Sequence, residues 1–406
     1  MVDSGGESFS ACHYGAHPER SDTVEVLLAV VLQGALIGIL IVGTETLPRG
    51  EWNERPLSLA QAKALQGFLA LCIVFHHCAQ KVVFDRWRTG FSPSGLEVMA
   101  LIGFVFVGYF FFCSGYGLYQ SCQRKRDYLD GFLRRRALPL LLIYYVCNTI
   151  YLVGRLAMGE TFGALRFVGL ACGLELANPN SWFVVTLPLM YLLFYFSKRR
   201  CIDEALVTRR LFVGTGAYIL AGMVVSVVHR GDYMVFLGRW WYNTVILFPL
   251  GYLFGRREPE AWAWMRRSYH RQVACSVVLF VVSLLSSLMF WVVYPLVPIA
   301  MVLESLATIC FTWSLLLFSL RWKAASRLLS FYGGLTLELY LMQGFFVNLF
   351  YRPFYDKGTD VLTIDNPPIY ILLVLTCATV IALLFKRMTK MLLGEKVALR
   401  RESSCS

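Results

Sequence analysis

The chain has 406 residues, of which 57% are hydrophobic, 15% aromatic and only 16% charged, and its mean hydropathy is +0.58. That composition excludes a soluble globular domain and points to an all-α, polytopic helical membrane protein. A net charge of +12 does not mark a nucleic-acid-binding face, because the basic residues fall in short clusters between apolar runs. There they set topology and attract anionic lipid headgroups.

In chain order, a polar tail of mixed charge over residues 1–24 leads into an apolar run at 25–44. No basic stretch runs directly into a short apolar core, so this is read as an uncleaved extra helix rather than a secretory signal. Ten further runs follow at 66–84, 97–121, 136–156, 181–197, 208–228, 240–255, 272–292, 295–319, 328–350 and 368–386, most of them long enough to span a bilayer. A weaker run at 161–177 contains Arg166 and Glu175, and a basic tail covers 391–406. Twelve cysteines show no CxxC or Cys/His metal spacing. Most, such as Cys72, Cys147, Cys275 and Cys377, lie inside apolar runs as packing residues, so neither a disulfide framework nor a metal site is expected.

The basic clusters test these assignments. They lie at Arg124–Arg126 with Arg134–Arg136, at Lys198–Arg200 with Arg209 and Arg210, and at Arg256 and Arg257 with Arg266 and Arg267. Others are Arg321, Lys323 and Arg327, then Lys386 through Arg401. If the run at 66–84 begins in the cytoplasm, every cluster falls inside, provided 161–177 does not cross. The expectation is ten core transmembrane helices plus one N-terminal helix in a plasma or inner membrane. The C-terminus is then cytoplasmic and the N-terminus outside, with 161–177 re-entrant or interfacial on the outer side. The loop 351–367 is polar and aromatic, suited either to meeting a sugar or to an interfacial belt.

Of six histidines, only His76 and His77 fall well inside an apolar segment, and an ionisable group at such depth marks a functional-site candidate. Gln66 and His77, eleven residues apart, lie within about 20° of one another on a helix surface. A neutral imidazole there can take a proton from an attacking hydroxyl, or it can bridge two helices by hydrogen bonds. Glu304 and Glu338 are the acids inside spans, where each needs a partner or a proton.

Several stretches then agree in order and spacing with one family. Ala64-Leu65-Gln66-Gly67 through Phe75-His76-His77 resembles the first core helix of the acyltransferase family 3 membrane proteins, whose pattern is a basic residue, ten intervening residues and a histidine. His77 falls on the family histidine; Gln66 stands where a basic residue is expected, and Lys63 lies one turn earlier. Phe110 to Leu118, with Ser114, Gly115, Tyr116 and Gly117, looks like the family's aromatic-rich second core helix. Phe132 to Pro139, with Arg134, Arg135 and Arg136, resembles the basic start of the third, without its usual spacing of two arginines three apart. Ser181-Trp182-Phe183 through Tyr191 looks like the start of the fourth, and Thr336 to Gln343, with Glu338 and Tyr340, resembles a late family motif.

The resemblance implies a membrane domain over 60–390 that moves an acyl group, often acetyl, from acyl-CoA to a sugar hydroxyl of a surface polysaccharide or lipid-linked glycan. Implied catalytic residues are His77, His76 and Glu338. Implied donor-binding residues are Lys63, Gln66 and Arg134–Arg136, where guanidinium groups suit coenzyme A phosphates and equally suit topology anchoring. Ser114, Tyr116, Trp182, Tyr191, Tyr340 and Gln343 are the acceptor or pocket candidates. No bound cofactor is expected beyond acetyl-CoA as a substrate. The rival reading is a transporter of a glycan intermediate or small molecule, with His76, His77, Glu304 and Glu338 as a proton relay. Inverted repeats or paired broken helices would favour it, and the sequence shows neither.

Overall fold

The computed structural model describes residues 19–89, 93–228, 236–292, 296–324, 326–351 and 366–393. These are almost wholly helical: α1 (Glu19–Ile41), α2 (Leu59–Thr89), α3 (Glu97–Arg124), α4 (Phe132–Ala157), α5 (Ala164–Ala171), α6 (Trp182–Lys198), α7 (Glu204–Val228), α8 (Leu247–Arg256), α9 (Glu258–Arg267), α10 (Tyr269–Val292), α11 (Val297–Arg321), α12 (Arg327–Gly333), α13 (Thr336–Leu349) and α14 (Pro367–Leu393). One antiparallel ribbon, β1 (Thr44–Thr46) with β2 (Trp322–Ala324), joins the segment after α1 to the end of α11. Nine helices among the described residues, α1–α4, α6, α7, α10, α11 and α14, are long and apolar enough to cross a bilayer. The chain is a helical membrane protein.

Two expected runs are not continuous helices. Over 240–255 only α8 forms, about 15 Å of helix, preceded by a single 3-10 turn at Arg239–Trp241. The run 328–350 divides at Gly333 and Gly334 into α12 and α13. Here the α2 backbone comes so close that a Cβ on Gly333 would overlap the Lys63 carbonyl. The Gly334 carbonyl leaves the helical ladder and accepts from Lys386 Nζ at 2.7 Å.

Contacts between helix ends gather the basic clusters on one side, called here the basic end. Glu204 is bound there by Lys198 (2.6 Å) and by the Tyr252 hydroxyl (2.5 Å), and Arg266 donates to the Asn53 carbonyl (3.3 Å). The opposite side is the far end. At the far end Arg86 of α2 pairs with Glu25 of α1 at 2.7 Å, so α1 runs antiparallel to α2, and its C-terminal flank is tied to the basic end through the ribbon.

The segment 161–177 does not cross. Its one helix, α5, is about 12 Å long, and its flanks bind α4. Asn148 Nδ2 donates to the Leu170 carbonyl (2.6 Å), Ala177 N–H donates to Asn148 Oδ1 (2.9 Å), and the Tyr144 hydroxyl donates to the Gly173 carbonyl (3.2 Å). Then α6 starts at the end where α4 finished, and the two run antiparallel, with Phe132 against Tyr191 and Phe194. One asparagine side chain thus serves backbone groups that no helix satisfies, which is what lets irregular chain sit beside a helix at depth.

Candidate active site

The site forms around the far half of α2, and helical geometry assigns its faces. Gly67 lies against α12, where a Cβ would overlap the Leu329 carbonyl, and Cys78 meets the Tyr370 hydroxyl of α14. His76 points to α3: its Nδ1 lies 2.8 Å from the Met99 carbonyl, and its ring fills the space that a Cβ on Gly103 would need. Arg86, paired with α1, lies nine residues after His77, and so half a turn round from it. His77 therefore occupies the remaining face, turned away from α1 toward the bundle interior.

The adjacent histidines divide the work. His76 is buried, and a carbonyl can only accept, so its Nδ1 carries the proton: this is the ring that holds α2 to α3. His77 is half-buried and its Nδ1 lies 3.3 Å from Gln80 Oε1, which leaves Nε2 as the acceptor when Nδ1 donates. Lys81 and Phe84, one and two turns farther on the same face, are exposed, so this face opens toward the far end. Gln80 has no motif to reveal it in the sequence; its spacing of i+3 from His77 is the one signal that could have found it.

Across from α2, α13 brings Tyr340 and Gln343. Gly67 against Leu329, and Tyr370, which donates to the Val347 carbonyl at 2.8 Å and meets Cys78, fix the register of the two stretches. Between those marks Gln343 falls within about one turn of the depth of His77. Gln343 is 0% exposed, and neither atom of its amide has a hydrogen-bond partner among the described residues; the Tyr340 hydroxyl, one turn away, meets the Phe183 backbone. Buried polar groups in native folds are nearly always satisfied, so such atoms point to a ligand or to ordered water. Aromatic rings close the wall: Tyr340 lies 5.8 Å from Phe183, Phe183 lies 4.8 Å from Phe111, and Trp182 lies 6.4 Å from Trp241. Glu338 is buried in the first turn of α13, one to two turns closer to the basic end than Gln343.

The six pocket candidates do not converge. Tyr116 sits at the basic end with its hydroxyl 3.0 Å from both oxygens of Glu258, which also accepts from Gln120 (2.8 Å) and Trp262 (3.1 Å). Ser114 is half-buried a half-turn before it, and Tyr191 packs on Phe132 and Phe248 in the basic half of α6. Gly115 has the packing role its size suggests, since a Cβ there would overlap the Phe248 carbonyl of α8, whereas Gly117 faces open space. Only Trp182, Tyr340 and Gln343 belong to the aromatic wall.

Of the donor-binding candidates, Gln66 is buried and Lys63 half-buried near the basic end of α2, about 16 Å and 21 Å along the helix from His77. Gln66 is thus too far away to fix the His77 tautomer; Gln80 holds that position. Arg134 and Arg135 are exposed at the start of α4, and Arg135 donates to the Tyr128 carbonyl at 2.8 Å. Arg136 donates to the Tyr128 hydroxyl at 2.7 Å and stacks over its ring. The second buried acid, Glu304 of α11, is held by Arg239 at 2.9 Å and by Asn243 Nδ2 at 2.8 Å. A glutamate inside an apolar run signals such a partner, but the sequence does not say which residue supplies it. No group of three metal-ligating side chains occurs among the described residues. His13, His17 and His229, nearly all of the loop 351–367 and most of the basic tail lie outside the described residues.

Comparison with known proteins adds one finding. No curated protein and no solved structure matches the chain. The model of the acyltransferase domain of acyltransferase family 3 matches residues 60–387, which is α2 to most of α14 and includes both histidines, the broken segments and the aromatic wall. The chain belongs to acyltransferase family 3, and it is a membrane acyltransferase.

Proposed function

We propose that the protein moves an acetyl-type acyl group from acetyl-CoA to a hydroxyl of a sugar in a surface polysaccharide or lipid-linked glycan, across a plasma or inner membrane. The observation that carries this reading is the placement of His77: half-buried, on the interior face of α2, Nδ1 toward Gln80, with its face open to the far end. The positive-inside rule makes the basic end cytoplasmic, which puts the C-terminus inside, the N-terminal end of α1 outside, and the acceptor at the outer face. Acetyl-CoA comes from the cytoplasm, where Arg134, Arg135 and Lys63 attract its phosphates, and its flexible arm spans the roughly 20 Å to His77.

In this scheme His77 Nε2 takes the proton of the sugar hydroxyl as its oxygen attacks the thioester carbonyl carbon. The C–S bond breaks as the ester C–O bond forms, and the coenzyme A thiolate leaves with the proton carried by His77. The Gln343 amide, which has no partner among the described residues, is a donor at the right depth for the oxyanion that develops on the carbonyl, and the Tyr340 hydroxyl lies one turn away. His76 and Gln80 position. The transporter reading gains the two broken helices, but the family match and the division of roles between the histidines favour chemistry over transport.

The test supplies labelled acetyl-CoA and a panel of sugar acceptors to membranes containing the protein. Label transfer that falls by about 10²–10⁴ in His77→Ala, at unchanged expression and melting temperature, is the expected result. Full transfer by His77→Ala would sink the assignment.

A further inference from the structure

Residues 236–246 cover the start of the expected span at 240–255, and they are not helical apart from one 3-10 turn. They are nevertheless deep in the bundle. Tyr242 packs under Gly222 of α7, Leu247 meets Gly108 of α3, and the Ser305 hydroxyl of α11 donates to the Asn243 carbonyl at 2.7 Å. Non-helical backbone at membrane depth is tolerated where protein surrounds it or where it lines a site, and broken helices mark many membrane binding sites.

The side chains of this break are unusual in a second, independent way. Trp241, Asn243 and Thr244 are 0%, 2% and 0% exposed, yet Trp241 Nε1, Asn243 Oδ1 and Thr244 Oγ1 have no hydrogen-bond partner among the described residues. The ring of Tyr218 of α7 lies 4.8 Å from Tyr242, and its hydroxyl meets the Thr186 side chain of α6. The set mixes a pure donor (indole N–H), a pure acceptor (amide oxygen) and a hydroxyl that does both. Around it stand Trp182, Phe236 and Trp241, with centroid separations of 6.4 and 5.0 Å, and the Arg239–Glu304 pair, whose carboxylate already holds the other half of the Asn243 amide.

We infer that this break is a sugar-binding subsite for the acceptor. Sugar hydroxyls both donate and accept, so they match a mixed set of unsatisfied atoms that an anion or an apolar chain would leave unmet. The aromatic faces suit a pyranose ring, whose C–H groups are apolar. The subsite adjoins the reaction zone through the contacts Trp241–Trp182 and Phe183–Tyr340, so a glycan seated in it presents a neighbouring hydroxyl toward the depth of His77. The inference rests on the glycan reading given above.

The experiment uses the full chain in nanodiscs, with Trp241→Phe, which keeps a ring and removes the N–H, and Thr244→Val, which keeps the volume and removes the hydroxyl. Thr244→Val removes a buried atom that has no protein partner and keeps the volume, so it should melt no lower than the parent, whereas Trp241→Phe also gives up ring volume at a 0% exposed position and should melt lower whatever its N–H does. Each should raise the KM for the sugar acceptor about three- to tenfold, the value of one hydrogen bond, and leave the KM for acetyl-CoA unchanged. Fluorescein-labelled glucose, galactose, N-acetylglucosamine and rhamnose, and disaccharides of each, serve as binding probes without acetyl-CoA. A probe that binds the parent and binds both variants several-fold more weakly supports the subsite even if no acetyl transfer is seen, in which case the glycan-acyltransfer reading alone fails. Transfer to a sugar with the same acceptor KM in parent and variants overturns the subsite and leaves that reading standing. A lowered melting temperature of Thr244→Val with unchanged acceptor KM also overturns it, because the orphan atoms then hold structural water.

Discussion

Replacing Arg239 by Met tests the electrostatics of the core directly. Its guanidinium Nε lies 2.9 Å from Glu304 Oε1, and the glutamate side chain is 4% exposed while the arginine is 23% exposed. At an effective dielectric of about 20, two unit charges at this separation attract by roughly 6 kcal/mol, against which both have lost water. Arg239→Met leaves the carboxylate buried with Asn243 as its remaining donor, and removal of one partner from a buried pair typically costs about 3–5 kcal/mol. Glu304→Gln should cost less, because Arg239 already reaches the surface and can turn its charge to solvent. Arg239→Met with Glu304→Leu removes both charges and should recover most of the loss. The assay is reversible unfolding of the purified protein in mixed micelles, with Glu304→Leu also made alone so that the double-mutant cycle with Arg239→Met closes and gives the coupling. If Arg239→Met unfolds like the parent, or if Glu304→Gln is the worse of the two, the assignment of Glu304 as the desolvated partner is wrong.

Gln80→Leu removes the group that faces His77 Nδ1 without touching Nε2. At 3.3 Å the bond is long, so kcat should drop about two- to tenfold with the KM for acetyl-CoA unchanged, and Gln80→Glu should restore part of it. An unchanged kcat in Gln80→Leu would remove Gln80 from the site. Gly103→Ala places a methyl group in the His76 ring and should lower the melting temperature and weaken the Met99 contact, whereas Gly117→Ala meets open space and should stabilise α3 by up to about 1 kcal/mol. Equal melting temperatures for the two alanine variants would contradict the packing described for α2 on α3.

The architecture was largely legible beforehand because membrane folding makes it so. Long apolar runs must be helices, and clustered Arg and Lys stay on one side, so the helical class, the non-crossing 161–177 segment and the antiparallel α1 follow from local composition, whereas the count does not: eleven spans are expected and nine helices among the described residues are long enough to cross. The family motifs likewise single out His77 as a candidate. What hydropathy does not see is a break inside an apolar run. Residues 240–255 and 328–350 read as spans, yet the first is broken where Asn243 bonds Glu304 and Ser305 of α11, and the second where the backbones of Gly333 and Lys63 meet. Both causes are residues distant in sequence.

The same division holds for the site. The sequence alone determined that two histidines sit in a helix 100° apart, and that Glu304 and Glu338 require partners at depth. Only the tertiary structure decided that His76 faces α3 and is spent on the Met99 carbonyl while His77 faces the interior beside Gln80. It also moved Tyr116 out of the acceptor group, since its hydroxyl meets Glu258 across 142 positions of sequence. Tyr340 and Gln343, in contrast, lie on α13 across from α2, and the unpartnered amide of Gln343 appears only once neighbouring helices close around it. A spacing fixes which residues share a helix face; which neighbour that face meets depends on how the helices pack.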